Sequence, residues 1–256
     1  MIPCAFLPLL LAIPATEMPP TSLLLQDVPA EESVNTGAWK GSVTAGAIKT
    51  TGNSETDSAS VTADAGWKTK KEAVSLNFSW NYQSSETDGV SSITQRKVFG
   101  KGQYDRFMSA KTYAYGNASG EHDFTAALDL RTTYGLGLGH DFRDDKQWAI
   151  SGEVGASYIE EDYTLNTADA EYVAARLAYN TEYKGSKRFA FNHDGEIFPS
   201  LEDSDDVTAR WDTRVKTNLT DTMFAQLQWV LTYDNTPVTG LDRQDHLLAL
   251  TIGWTF

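Results

Sequence analysis

The sequence of 256 residues contains one cysteine, Cys4, so no internal disulfide framework can support its fold. After the first few residues, no apolar run approaches the roughly 20 residues that a membrane-spanning helix needs. Basic residues are scarce, with 21 Lys and Arg against 35 Asp and Glu and a net charge of −14. Phosphate backbones demand a basic footprint, so this balance excludes nucleic acid as a partner. Histidine is rare as well, with four in the chain. Aromatic side chains are what the chain has in quantity: seven Trp, eleven Tyr and eleven Phe.

The start, "MIPCAFLPLLLAIPAT", has a short apolar segment followed by small residues. It reads as a signal peptide over 1–15, although the usual positive residues at its front are missing. Cys4 lies too near the start for a lipoprotein cleavage box. The Pro-rich, acidic stretch over 16–36 reads as a disordered periplasmic linker.

From Gly37 to Phe256 the dominant period is two, the period of a strand whose faces see different surroundings. Twelve segments show it, near 37–49, 57–68, 72–84, 93–105, 110–119, 126–141, 148–160, 170–184, 188–199, 206–218, 222–234 and 244–256. Each is about 10–14 residues long, the length of a tilted strand crossing a bilayer. In the tenth, Val207, Ala209, Trp211, Thr213 and Val215 share one face, and Thr208, Arg210, Asp212, Arg214 and Lys216 share the other. In the fifth, Tyr113 and Tyr115 are read as outward.

A soluble sandwich also alternates, so a secreted β-sandwich binding protein is one alternative. Two details favour a membrane barrel. All seven tryptophans fall on the apolar face of their segments, mostly toward the ends, where indole suits a lipid–water interface. The middle of the apolar face carries no charge, and a lipid-facing Lys or Arg at mid-bilayer costs about 2–4 kcal/mol. Short connections also alternate with longer ones, as periplasmic turns and external loops do. The fold expected is all-β, a single 12-stranded antiparallel up-and-down transmembrane barrel over 37–256. Its last strand closes against the first, because no open sheet edge survives in hydrocarbon. Leu250, Ile252, Trp254 and Phe256 end the chain on an aromatic strand of the kind read by the barrel-assembly machinery.

The stretches "TTGNSETDSASV", "DLRTTYGLGLGHDF" and "SGEVGASYIEEDY" resemble the family of salt-induced outer-membrane proteins, catalogued as a domain of unknown function. The resemblance covers about Gly37 to Phe256. It implies the outer membrane of a diderm bacterium, a possible connection to salt or osmotic stress, and no catalytic residues to carry over.

A lipid-acting outer-membrane enzyme is the other alternative. It would need a nucleophile, a histidine and an orienting group outward at one height on neighbouring strands. His140, His193 and His246 read as outward and His122 as a loop residue, and no nucleophile–base pair is expected among them. "GLGLG" at 135–139 lacks the lysine and helix of a phosphate loop. Its glycines share the inward face and read as space for long side chains crossing the lumen.

The inward charges are then the candidate functional residues. Lys97, Lys101, Arg131, Arg176, Arg210, Arg214 and Lys216 face Asp64, Asp105, Asp129, Glu153, Glu182, Asp194, Glu196 and Asp212. Either they line a narrow water-filled passage or they pair into a structural plug. Twelve strands lie between the filled eight-strand barrel and the open porin, so geometry leaves both readings open. No cofactor and no metal site are expected. The partners expected are outer-membrane lipid and lipopolysaccharide. The longer connections are strongly acidic, with dense runs at Glu160–Asp162 and Glu202–Asp206, and could attract divalent cations weakly.

Overall fold

The computed structural model describes residues 37–50, 54–87, 90–164, 169–186 and 188–256. The proposed signal peptide and linker over 1–36 lie outside these residues. Strict alternation of small or apolar side chains with polar ones gives twelve strands. They are β1 (Lys40–Thr50), β2 (Ser54–Lys68), β3 (Glu72–Thr87), β4 (Val90–Phe107), β5 (Thr112–Asp123) and β6 (Leu128–Asp144), then β7 (Trp148–Tyr163), β8 (Ala170–Ser186), β9 (Phe189–Pro199), β10 (Val207–Asn218), β11 (Met223–Asp234) and β12 (Gln244–Thr255). Each strand pairs antiparallel with its sequence neighbours, and β12 pairs with β1 to close the barrel.

The closed ladder satisfies the backbone inside the wall and leaves the outer faces to lipid. Leu136 and Leu248 are 70% and 71% exposed on that outer surface. Leu76, Phe78, Val154, Leu177, Leu227 and Ile252 join them. Trp148 packs against Tyr183 at 4.6 Å between ring centroids, on the side of the short turns. Large side chains at such exposure are stable only against hydrocarbon, so the barrel is a transmembrane one. Leu136→Arg is expected to destabilise the barrel in lipid vesicles by about 2–4 kcal/mol, measured by urea unfolding.

The short turns are held by their own side chains. In the β6–β7 turn the Asp145 carboxylate accepts from the amides of Trp148 and Gln147, both at 2.8 Å, and from Arg143 Nε at 2.5 Å. These donors hold its carboxyl down to about 2. The turn therefore keeps its charge, and its hydrogen bonds, throughout the neutral range.

Two segments depart from the alternation expected of them. In β5 the tyrosines point inward: Tyr113 and Tyr115 are 5% and 4% exposed. The reason lies one and two strands away along the wall. Gly139 and Gly137 on β6 and Gly155 on β7 leave bare backbone: the Tyr113 ring covers Gly139, and the Tyr115 hydroxyl reaches Gly137 and Gly155. A Cβ on Gly137 would stand 2.7 Å from Tyr115 Oη. In β6 a bulge between Leu128 and Leu130 adds one residue opposite β7. Leu128 turns inward, Leu130 outward, and the extra residue, Asp129, is left with an exposed side chain beside His122. Asp129 therefore does not line the lumen. His122 belongs to β5 and not to a loop. Glu160–Asp162 belong to β7, with Glu161 buried inside the barrel.

Candidate functional site

The inward residues of a barrel converge on one axis, so charges distant in sequence become neighbours. They form three braced layers. Nearest the longer loops, Lys97 Nζ on β4 meets Glu121 at 2.7 Å and Asp123 at 2.9 Å, both on β5. At the same end Arg131 Nε on β6 meets Glu161 at 2.6 Å, and its Nη2 lies 3.8 Å from Asp234 on β11, across the lumen. Below them, Arg176 on β8 bridges Glu153 at 2.7 Å and Glu196 at 3.2 Å. Glu196 on β9 also takes Lys101 Nζ from β4 at 2.7 Å. Tyr113 Oη and Gln103 Nε2 both donate to Glu153, at 2.9 and 2.8 Å. On the facing wall, Arg214 on β10 meets Asp212 at 2.9 Å and reaches Asp64 on β2 at 3.3 Å. Gln228 Nε2 donates to both oxygens of Asp212, at 3.0 and 2.8 Å.

Burial of a charge is tolerated when it is paired and its remaining donors are used, and these groups meet that condition. Arg131→Ala would strand Glu161, which has a 7% exposed side chain. It is expected to cost about 3 kcal/mol, the lower end for breaking a largely desolvated pair. Arg131→Met with Glu161→Gln should recover most of that loss in a thermal melt.

Arg210 stands apart. Its nearest carboxylate, Asp212, is 3.8 Å away. Its guanidinium instead lies over the ring of Phe99, 5.0 Å from the centroid. Phe99 is on β4 and Arg210 on β10, strands on opposite sides of the closed ring. A long cation from one wall thus rests on an aromatic face of the other and pinches the lumen at its waist.

Three cavities lie along the axis. One of about 360 Å³ extends from the waist toward the short turns. A second, of about 220 Å³, shares Thr62, Ser79, Arg210 and Gln228 with it. A third, of about 230 Å³, opens under the β11–β12 loop and shares Lys97, Asp123 and Asp245 with the second. Side chains, not backbone, separate them.

Of the remaining candidates, Glu182 sits at the short-turn mouth, 3.4 Å from Lys184. Lys216 meets no carboxylate within ion-pair distance among the described residues; its Nζ lies 5.0 Å over the Phe224 ring. Asp105 accepts from Gln103 Nε2 at 2.9 Å. Asp194 accepts from Asn180 on β8. Leu250, Ile252, Trp254 and Phe256 all present their side chains to the outside.

Two of the three outward histidines do find hydroxyls, contrary to the sequence reading, while His246 stacks on Trp229. His193 Nδ1 is 2.9 Å from Thr213 Oγ1, and its Nε2 is 2.6 Å from Tyr179 Oη. His140 Nδ1 is 3.0 Å from Thr112 Oγ1. The threonines come from adjacent strands in register, a match that only the pairing reveals. Acyl transfer also needs donors for an oxyanion. Thr213 lies within the paired ladders to β9 and β11, which engage the backbone around it. The arrangement satisfies polar groups at the lipid face.

A family model described as "Protein of unknown function, DUF481" matches residues 43–256. The chain belongs to the DUF481 family. No curated protein matches the sequence. Among solved structures, the NanC porin is 10% identical, with a TM-score of 0.49 over 86% of this chain and 99% of that one. The translocator domain of autotransporter NalP from Neisseria meningitidis is 8% identical, with a TM-score of 0.47 over 88% of this chain and 90% of that one. The KdgM porin is 8% identical, with a TM-score of 0.42 over 86% and 99%. Likeness at this level transfers neither solute nor activity to this DUF481 chain.

Proposed function

We propose that this barrel resides in the outer membrane of a diderm bacterium and forms a narrow passive passage pinched by Arg210. The lipid-facing outer surface, the closed wall and the terminal aromatic strand support the location. That strand (Leu250, Ile252, Trp254 and Phe256) is the segment the assembly machinery would read. The single observation that carries the passage is the row of three polar cavities with shared walls, divided by flexible side chains. A guanidinium resting on a ring can swing aside; a backbone plug cannot.

The cavity nearest the loops is lined by Glu121, Asp123, Asp234, Asp242 and Asp245 against Lys97 and Arg131. This surplus of carboxylates raises the local concentration of cations, so the passage prefers cations. Single-channel recording in planar bilayers tests the reading. The expected result is a small, ohmic conductance with a reversal potential displaced toward the cation. Silence under all salts would favour a second reading, a structural envelope barrel, which the cross-lumen pairs Lys101–Glu196 and Arg214–Asp64 support.

Loop carboxylates would share divalent cations with lipopolysaccharide only weakly. Glu202 Oε1 accepts from the Val173 amide, Asp203 Oδ1 from the Asp205 amide and Asp206 Oδ1 from Thr236. Those oxygens are already engaged, and salt screens the rest. The link to salt stress rests on the family resemblance alone; transcript levels after a rise in sodium chloride test it.

A further inference from the structure

The wall is not uniformly closed. β1 pairs with β2 along its whole length, to Thr50 opposite Thr56. β12 pairs with β11 along its whole length, to Gln244 opposite Tyr233. The ladder between β1 and β12 runs only from Gly41–Phe256 to Ala45–Ile252. Gly46 still touches the carbonyl of Leu250, since a Cβ there would stand 2.7 Å from it. Beyond that point, 46–50 and 244–251 form no ladder with each other.

This parted stretch lies at lipid depth. Leu250 and Leu248 are in register with the lipid-facing Leu227 and Trp229. They are 64% and 71% exposed. Free strand edges are costly in hydrocarbon, where no water can satisfy them. The cavity of about 220 Å³ lies on the lumen side and is lined by Asp245, His246 and Leu247 of the same strand. Where the ladder stops, two polar atoms are buried without a hydrogen-bond partner among the described residues. They are Thr251 Oγ1 and, beside it in register, Gln226 Oε1. Both residues are 2% exposed.

We propose that the upper β1–β12 seam is a lateral port that binds a single-chain membrane lipid. Its head lies toward Gln226 and Thr251 and its alkyl tail leaves between the strands. The chemistry follows from the partners. Gln226 Oε1 only accepts, so the head must donate, as a hydroxyl or amine does. Lys216 on β10, in register beside Gln226, disfavours a cationic head, and Asp245 higher on the same wall disfavours an anionic one, so the head is neutral. Lateral entry is independent of conduction along the axis.

Antiparallel pairing alternates, and Gly41 and Phe256 exchange both of their backbone bonds. The amides of Val43, Ala45, Ile252 and Trp254 therefore point across the closed rungs. Those of Ala47, Lys49, Leu248 and Leu250 point into the parted seam. Hydrogen exchange of the full barrel in phospholipid nanodiscs is expected to be about 100-fold faster at the second four than at the first. Monoolein, a neutral single-chain lipid, should slow exchange at those four by tenfold or more, about the protection expected of a bound ligand. Gln226→Leu should abolish that protection while leaving the closed rungs unchanged. Ile48→Cys with Ala249→Cys, oxidised to a disulfide across the seam, should abolish it as well. Equal exchange at all eight amides, or monoolein protection that survives both variants, overturns the proposal. Neither readout uses conductance, so its failure and failure of the axial passage are distinguishable.

Discussion

Replacing Arg210 with alanine is expected to raise single-channel conductance about twofold or more and to move the reversal potential further toward the cation. The substitution removes the side chain that spans the waist and the positive charge nearest the permeation path. The two cavities that Arg210 divides then merge through Thr62, Ser79 and Gln228. Arg210→Lys should fall between the two proteins, because an ammonium keeps the charge but cannot lie flat on Phe99 as a guanidinium does. The shift in selectivity should shrink as ionic strength rises, since exposed carboxylates at the mouth are screened within about 3 Å at 1 M salt. A conductance in Arg210→Ala no larger than in the parent would place the constriction elsewhere.

The second large effect concerns the wall itself. Gly137→Val is expected to destabilise the barrel by more than about 3 kcal/mol, the upper range for overpacking, and to leave little heat-modifiable protein on a gel. A Cβ at that position would overlap the Val154 carbonyl and stand 2.7 Å from Gly155 Cα and from Tyr115 Oη. Two of these obstacles are backbone and cannot rotate away. Gly116→Ala on the neighbouring strand is the control, because a Cβ there meets nothing within 4 Å. Comparable loss in both variants would mean that the glycines act through strand propensity rather than as beds for the tyrosines.

These two predictions also mark how much was legible in the sequence. The lipid side of each strand is set locally, because bilayer and lumen reward opposite residue types. That is why Trp211 and Arg210 could be assigned to opposite faces from period two alone. β5 failed the same test. Tyrosine joins an apolar ring to a hydroxyl and suits either side, and Ala114, Gly116 and Ala118 on the other face give no contrary signal. What decides the matter is Gly137, Gly139 and Gly155 on other strands, which a period of two cannot weigh. Asp129 was misplaced because a bulge adds one residue and reverses parity locally. The ion pairs were legible as a set of inward charges but not as partners. Lys101 and Glu196 lie 95 residues apart, and only the barrel's closure brings them within 2.7 Å. The Thr213–His193 contact was missed for the same reason, since register is not written in either strand by itself. The short β1–β12 ladder had no signal that alternation could supply.

The central claim is that the interior holds a continuous, water-accessible row of cavities braced by side chains. Cysteine accessibility tests it most directly, because the barrel region contains no native cysteine. Thr62→Cys, Ser79→Cys and Thr232→Cys place small thiols on the walls of the cavities, and Val61→Cys and Leu231→Cys place them on the lipid face. In liposomes, a membrane-impermeant hydrophilic thiol reagent is predicted to modify the first three and spare the last two. Three unreactive inward thiols in a folded barrel, or reaction at Val61 and Leu231 instead, would contradict the account.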